Sequence, residues 1–396
     1  MCPGRGPGPF SEEMLSEAGE TQALIEHLAA PAGERGAPRD EGEPPEESLE
    51  PGAIGRAMGE GEAGARALRA GGVELTETVI DGLKPYVVNL RQGLFSKSGR
   101  LRTASADVDR IFAEHLPRWA QDLPDGEPLR IVFWAHGGLV SEARALAIAH
   151  HHVQWWKANG VYPIYFIWET GLLEVIGQLL TAARDRLPWR RRDLFDVTTD
   201  RLIEKTVRAL GGRQVWAGIQ ASAERASADG GGAAYLATKL GEYLKADGAP
   251  KAELHAVGHS AGSIFHSWFL PRLLSDTGGP VSSAAFLAPA VTVETFVDQL
   301  ERHLKKGAKK GIERLSMFTL NEETERDDST FTVYRKSILY LIHRALEARR
   351  KTPVLGLEEN LRDDDRLRRL FGLDGGNGRG EVVFCPTGPA PGPRKS

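Results

Sequence analysis

The sequence contains only two cysteines among its 396 residues, Cys2 and Cys385, and both are expected to lie in mobile segments. Two cysteines cannot build the disulfide framework of a small secreted protein, so a reducing, cytoplasmic location is expected. The longest apolar runs, such as VYPIYFIW at 161–168, are far shorter than a bilayer span. The first ten residues lack the apolar core of a signal peptide. The sequence therefore predicts no integral membrane segment.

The charge balance excludes a second group of functions. The formal net charge is −4, which provides no basic field for nucleic acid or an anionic membrane. Phosphate-binding loops, dinucleotide fingerprints and zinc-ligand spacings do not occur, so no cofactor is predicted. His150, His151 and His152 are consecutive and cannot converge on a metal ion as ligands four residues apart on a helix do.

Composition changes sharply near residue 70. Residues 1–70 are rich in Gly, Pro and Glu and have little to bury, so they are predicted to be disordered. Residues 71–396 are predicted to form one α/β domain, with a mostly parallel sheet covered by helices on both faces. Within it, about 170–250 is amphipathic and is expected to form a helical insertion or lid. The predicted strands are 73–80 and 84–90 (a hairpin), 129–138, 161–168, 252–258, 282–289, 312–320 and 381–385, with a helix at 141–160.

The stretch GHSAG at 258–262 lies where a predicted strand meets a predicted helix. It matches the G-x-S-x-G pattern of a nucleophile elbow. In such a turn Gly258 and Gly262 avoid clashes, His259 flanks the nucleophile, and Ser260 is held at the positive end of the helix dipole. Ser260 is therefore the candidate nucleophile. The alternative is a plain strand-to-helix turn.

A second glycine-containing turn, AHGG at 135–138, follows an earlier predicted strand. Backbone N–H groups of Gly137 or Gly138, together with that of Ala261, could point at one spot and stabilise an oxyanion. The alternative is a turn that merely ends the strand.

With these motifs in this order, residues 73–396 resemble the α/β-hydrolase superfamily. Segments 159–171 and 334–342 look like those of an uncharacterised bacterial group within it, a likeness that implies no substrate. The resemblance implies a triad acid in the loop at 321–330 (NEETERDDST). Asp328 is preferred, then Asp327, then Glu322, while the other carboxylates, Glu323 and Glu325 among them, are expected to be surface or helix-terminal charges.

The resemblance also implies a catalytic histidine after the last strand, but the eleven histidines end at His343. Three explanations are open: a truncated or frame-altered C-terminus, a non-catalytic protein, or another histidine as base. His343 is expected to be packed or on the surface. His136 is expected to brace its loop, His259 to line the pocket, and His266 to face elsewhere.

The sequence thus predicts a serine hydrolase acting on a small carboxylic ester or thioester. The alternative is a hydrolase-like binding or scaffolding module without turnover. The sequence makes no prediction of oligomeric state.

Overall fold

An eight-stranded sheet organises the part of the chain that the computed structural model describes: residues 75–138, 140–168, 172–185, 197–304, 310–327 and 334–385. These residues belong to one compact unit, Leu75–Pro386. The predicted disorder of 1–70 concerns residues outside the described ranges. The strands are β1 (Val87–Arg91), β2 (Leu94–Phe95), β3 (Leu129–Ala135), β4 (Val161–Trp168), β5 (Ala252–His259), β6 (Ser283–Leu287), β7 (Leu315–Leu320) and β8 (Glu381–Cys385).

The strand order is β2-β1-β4-β3-β5-β6-β7-β8. β2 runs antiparallel to β1, whereas the other neighbouring pairs are parallel. The predicted α/β class with a mostly parallel sheet is therefore confirmed.

Helices connect the strands. Those described are α1 (Glu77–Leu83), α2 (Ser105–Arg110), α3 (Leu116–Gln121), α4 (Glu142–Ala158), α5 (Leu172–Asp185), α6 (Val197–Ala209), α7 (Gly212–Ser227), α8 (Gly232–Lys245), α9 (Gly262–Thr277), α10 (Val293–Gln299), α11 (Glu322–Asp327), α12 (Ile338–Leu341), α13 (Glu358–Asp363) and α14 (Asp365–Leu370). Short π-helical segments occupy Ile111–His115 and Ile342–Leu346, and a 3₁₀ turn occupies Glu301–His303. In the described residues, no helix has both the length and the apolar character of a membrane span.

Helices lie on both faces of the sheet, as predicted. Consecutive residues of a strand point to opposite faces. Phe133 of β3 contacts Phe269 of α9, with ring centroids 5.3 Å apart. Its neighbour Trp134 contacts His152 of α4, at 6.5 Å. Because both faces are covered, β4 is apolar throughout, and every one of its residues is buried.

The predicted hairpin between 73–80 and 84–90 is wrong. The described part of the first segment is helical, and α1 begins after Thr76, whose side chain accepts a hydrogen bond from the Val79 N–H. The cap satisfies one of the free N–H groups at the start of α1. The alternation of apolar and polar residues in this segment did not indicate a helix. β1 instead pairs with β2, through the turn at Gln92 and Gly93.

The segment between β4 and β5 is helical where it is described. It contains α5, α6, α7 and α8, and both α7 and α8 pack against α9. Whether part of it acts as a lid stays a prediction.

At the other end of the sheet, Cys385 is the buried last residue of β8, so its expected mobility is wrong. Pairing of β8 with β7 fixes it there. Cys2 lies outside the described residues.

Candidate functional site

Ser260 lies between the end of β5 and the start of α9, with φ of +46°. This left-handed conformation costs a non-glycine residue about 1–2 kcal/mol. Two backbone hydrogen bonds link it to the end of β6 and the residues that follow: the Ser260 N–H donates to Leu287 O at 2.8 Å, and the Ala290 N–H donates to Ser260 O at 3.1 Å. The loop after β6 therefore fixes the serine in a strained backbone conformation, a feature that clusters at functional sites.

Close backbone approaches explain both glycines of the motif. A Cβ on Gly262 would lie 2.0 Å from the carbonyl oxygen of Ala135, at the end of β3. A Cβ on Gly258 would lie 2.8 Å from the carbonyl group of Gly262. Neither position has room for a side chain, because the obstructing atoms belong to the backbone.

The turn after β3 lies directly beside Ser260. A Cβ on Gly137 would lie 3.3 Å from the Ser260 Cβ and 2.9 Å from Nδ1 of the half-buried His259. Gly138 is buried next to Gly137, and Ala261 is the N-cap residue of α9. The first N–H groups at a helix start have no partner within the helix. The three residues predicted to stabilise an oxyanion thus occupy two turns in contact with each other, although their role stays a prediction.

Sheet topology supplies an independent reason to look here. β3 and β5 are neighbours, and the connection after β3 leads to β4 on one side whereas the connection after β5 leads to β6 on the other. In open α/β sheets, ligands bind outside the carboxyl ends of the strands at such a switch point. The turns at Gly137 and Ser260 both follow the carboxyl ends of these strands.

A second strained residue follows the neighbouring strand. Ala288, just after β6, has φ of +43°, and its N–H donates to Phe318 O at 2.7 Å. His259 and Leu287 are partners in the β5–β6 ladder, so Ser260 and Ala288 are the next residues of adjacent strands. Sequence reasoning missed Ala288, because alanine carries no signal for a positive φ.

The acidic segment after β7 is partly helical rather than a loop. Asn321 Oδ1 accepts a hydrogen bond from the Thr324 N–H at 2.8 Å at the start of α11. Acidic residues suit a helix start because of the helix dipole. Glu322 forms an ion pair with Arg326, Glu323 and Asp327 are exposed, and Glu325 is buried. Asp328, the preferred triad acid, lies outside the described residues.

His136 braces the turn after β3, as predicted. The Trp168 N–H donates to its Nε2 at 3.2 Å, so Nε2 carries no proton. Nδ1 carries the proton and donates to Gly137 O at 2.7 Å. Because both nitrogens are engaged, His136 in this arrangement cannot take a proton from Ser260. The ring instead fixes the Gly137–Gly138 peptide.

His266 and His343 also bond to backbone carbonyl groups away from Ser260. His266 Nε2 lies 2.9 Å from Val257 O, and burial lowers the pKa of this histidine to about 4, although the hydrogen bond to Val257 acts in the opposite direction. His343 Nδ1 lies 2.8 Å from Thr352 O, and burial lowers its pKa as well. Within the described ranges, no group of three or more His, Cys, Asp or Glu residues is placed to hold a metal ion.

Sequence reasoning also missed a buried charge cluster. Tyr334 donates to Glu204 Oε1 at 3.0 Å, and Arg344 and Lys336 lie 3.8 and 4.0 Å from the same oxygen. Burial raises the pKa of the Glu204 carboxyl, while Arg344 and the Tyr334 hydrogen bond act in the opposite direction. The cluster ties α6 to the segment that leads into α12. Only the fold brings these residues together, so no local pattern could have indicated them.

These contacts define a candidate site at the carboxyl ends of β3, β5 and β6. The assignment rests on the geometry of the chain itself, since no protein-family model, no curated protein and no solved structure matches it.

Proposed function

We propose that the chain is a serine hydrolase of the α/β-hydrolase fold, acting on a carboxylic ester or thioester. The observation that carries the proposal is the strained backbone of Ser260 at the start of α9, with Gly137 packed against its Cβ. A serine in a tight strand–turn–helix junction is the hallmark of the nucleophile elbow. The position of both turns at the switch point of the sheet supports the same reading.

The proposed reaction begins with attack of Ser260 Oγ on the substrate carbonyl carbon. The oxygen that becomes negative accepts hydrogen bonds from the N–H of Ala261 and from an N–H of Gly137 or Gly138. The alcohol or thiol departs with a proton, and water then hydrolyses the acyl-enzyme. A general base must take the Ser260 proton, and Asp328, with Asp327 as second choice, is the residue proposed to orient it.

A second candidate function is a binding module of the same fold without turnover. The observation that favours it is the engagement of histidines elsewhere: ring nitrogens of His136, His266 and His343 bond to backbone groups other than those of Ser260. Without a base, the elbow and oxyanion turn retain only part of the rate enhancement. The site then binds a carbonyl compound without rapid hydrolysis.

Labelling by a fluorophosphonate probe, followed by hydrolysis of p-nitrophenyl butyrate and of a butyryl thioester, tests the proposal. We expect covalent labelling of the wild type and of Ser282→Ala, and none of Ser260→Ala. Ser282 lies just before β6, at the amino ends of the parallel strands and away from the candidate site, and serves as the control. Turnover that disappears in Ser260→Ala supports the hydrolase. Folded wild type that neither labels nor hydrolyses either substrate supports the binding module.

A further inference from the structure

A cleft of about 290 Å³ lies beside the elbow and is not used by the proposed reaction. It is formed by one face of α7, the first turns of α9 and the residues after β6. Its lining residues are Ala217, Gln220, Ala221, Glu224, Ile264, Trp268, Val291, Thr292 and Thr295.

The wall of this cleft is connected to the elbow by hydrogen bonds. Ser263 Oγ donates to Ser260 O at 2.6 Å and accepts from the Val291 N–H at 3.1 Å. Ile264, the next residue, is buried and lines the cleft. The Ser260 backbone and the cleft wall are thus held by the same short network, so the cleft keeps its shape together with the elbow.

The lining chemistry favours one class of ligand. Glu224 is exposed and is the sole charged residue among the nine that line the cleft. Within the described ranges, neither an ion pair nor a hydrogen bond engages its carboxylate. Trp268, half-buried, adds an indole ring, and Ala217 adds a small apolar side chain. An anionic ligand would meet a carboxylate and no basic side chain of this lining, so it is disfavoured.

The amide donor of Gln220 is already engaged within the protein. Its Nε2 donates to Glu347 Oε1 at 3.0 Å, which turns this donor away from a ligand. Glu347 is buried, and its Oε1 also accepts from Trp216 Nε1 at 2.7 Å. Burial raises the pKa of the Glu347 carboxyl behind the wall, so the negative charge that a ligand meets is that of Glu224 at the surface.

We propose that this cleft binds a small organic ammonium group attached to an apolar body. The carboxylate of Glu224 attracts the positive charge, and the indole of Trp268 supplies the aromatic partner on which ammonium groups are recognised. The alanine and aliphatic side chains contact the alkyl part. The volume suits a small ligand, at the lower end of the usual range for binding pockets.

The test compares choline with 3,3-dimethylbutan-1-ol, an uncharged molecule of nearly the same shape. Binding of each is measured by isothermal titration calorimetry to the full chain. We expect choline to bind at least about fivefold more tightly, since a cation over an aromatic ring contributes about 1 kcal/mol. Glu224→Gln should remove most of this preference, and Trp268→Leu should reduce it.

Two controls keep the outcome decisive. Glu294→Gln removes an exposed acid on α10 next to Thr295 that does not line the cleft, and it should keep the choline preference. Trp268→Phe retains an aromatic ring in case the leucine variant does not fold. Ser260→Ala should bind choline as the wild type does, so the result does not depend on turnover. Equal affinity for the two probes, no binding, or an unchanged preference in Glu224→Gln overturns the proposal.

Discussion

Gly262 at the start of α9 faces the carbonyl oxygen of Ala135 at the end of β3, and a Cβ on Gly262 would lie only 2.0 Å from that oxygen. The Gly262 Cα and the Ala135 carbonyl oxygen both belong to the backbone, so neither can move without shifting the elbow or β3. The contact therefore couples the two turns of the candidate site. It explains why the motif needs a glycine after Ser260 and Ala261.

Gly262→Ala should consequently destabilise the protein by about 1–3 kcal/mol, as overpacking of a filled core does. Urea denaturation measures the change in the free energy of unfolding. Gly218→Ala is the matched control, because Gly218 lies inside α7 and a Cβ there meets nothing within 4 Å. The control should be stabilised by up to about 1 kcal/mol. Equal stability of both variants would contradict the close approach.

Gly137→Ala should keep the fold and slow the acylation of Ser260. The added methyl group would lie 3.3 Å from the Ser260 Cβ, where the substrate carbonyl is proposed to bind, while the nearest atom, Nδ1 of His259, belongs to a movable ring. The measurement is the fluorophosphonate labelling rate, with Gly82→Ala as control, since a Cβ on Gly82 meets nothing within 4 Å. An unchanged rate in Gly137→Ala would show that this turn is not an oxyanion hole.

Ser260→Gly and Ser260→Ala should both abolish labelling but differ in stability. Glycine adopts φ of +46° without the steric cost that alanine retains. The glycine variant should therefore be more stable by about 1 kcal/mol, after allowance for its larger entropy loss on folding. Chemical denaturation of the two purified variants provides the comparison. Greater stability of the alanine variant would mean that the backbone at Ser260 is unstrained.

Two variants of His136 should separate its two hydrogen bonds. Asparagine can keep a donor for Gly137 O, whereas glutamine can reach the Trp168 N–H as an acceptor. If His136 acts by positioning the Gly137–Gly138 peptide, His136→Asn should label faster than His136→Gln. The stability order should be reversed, because His136→Asn leaves the buried Trp168 N–H unpaired, at a cost of about 1–3 kcal/mol. If the labelling rates of the two variants followed the same order as their stabilities, His136 would have a structural role alone.

His266 should make the protein less stable as the pH falls from 6.5 towards 4. Its folded-state pKa is lowered to about 4, so the unfolded chain binds the proton more tightly in this interval and stability rises with pH. The full effect is about 3 kcal/mol. His266→Gln should flatten the pH dependence measured by urea denaturation, whereas His151→Gln, at an exposed position of α4, should leave it unchanged. If the stability of His266→Gln still depended steeply on pH, other titrating groups would be responsible for the dependence.

Local sequence patterns were sufficient for the architecture around the site. The apolar run at 161–168 coincides with β4, and Ser141 caps α4 as expected. Continuous apolar strands and capped helices are determined by neighbouring residues, so a single stretch of chain reveals them. The motif at 258–262 likewise marked the strand–helix junction, because close-packed turns restrict residue type locally.

Tertiary structure alone decided the rest. The helix α1 formed where alternation suggested a strand, because its packing against α4 outweighs a short periodic signal. The strain at Ala288 and the bonds of His136 depend on residues from other strands, which sequence spacing does not encode. The need for glycine at 137 and 262 also appears only in the folded structure. Gly137 lies against Ser260 and Gly262 lies against Ala135, and neither contact can be read from the sequence.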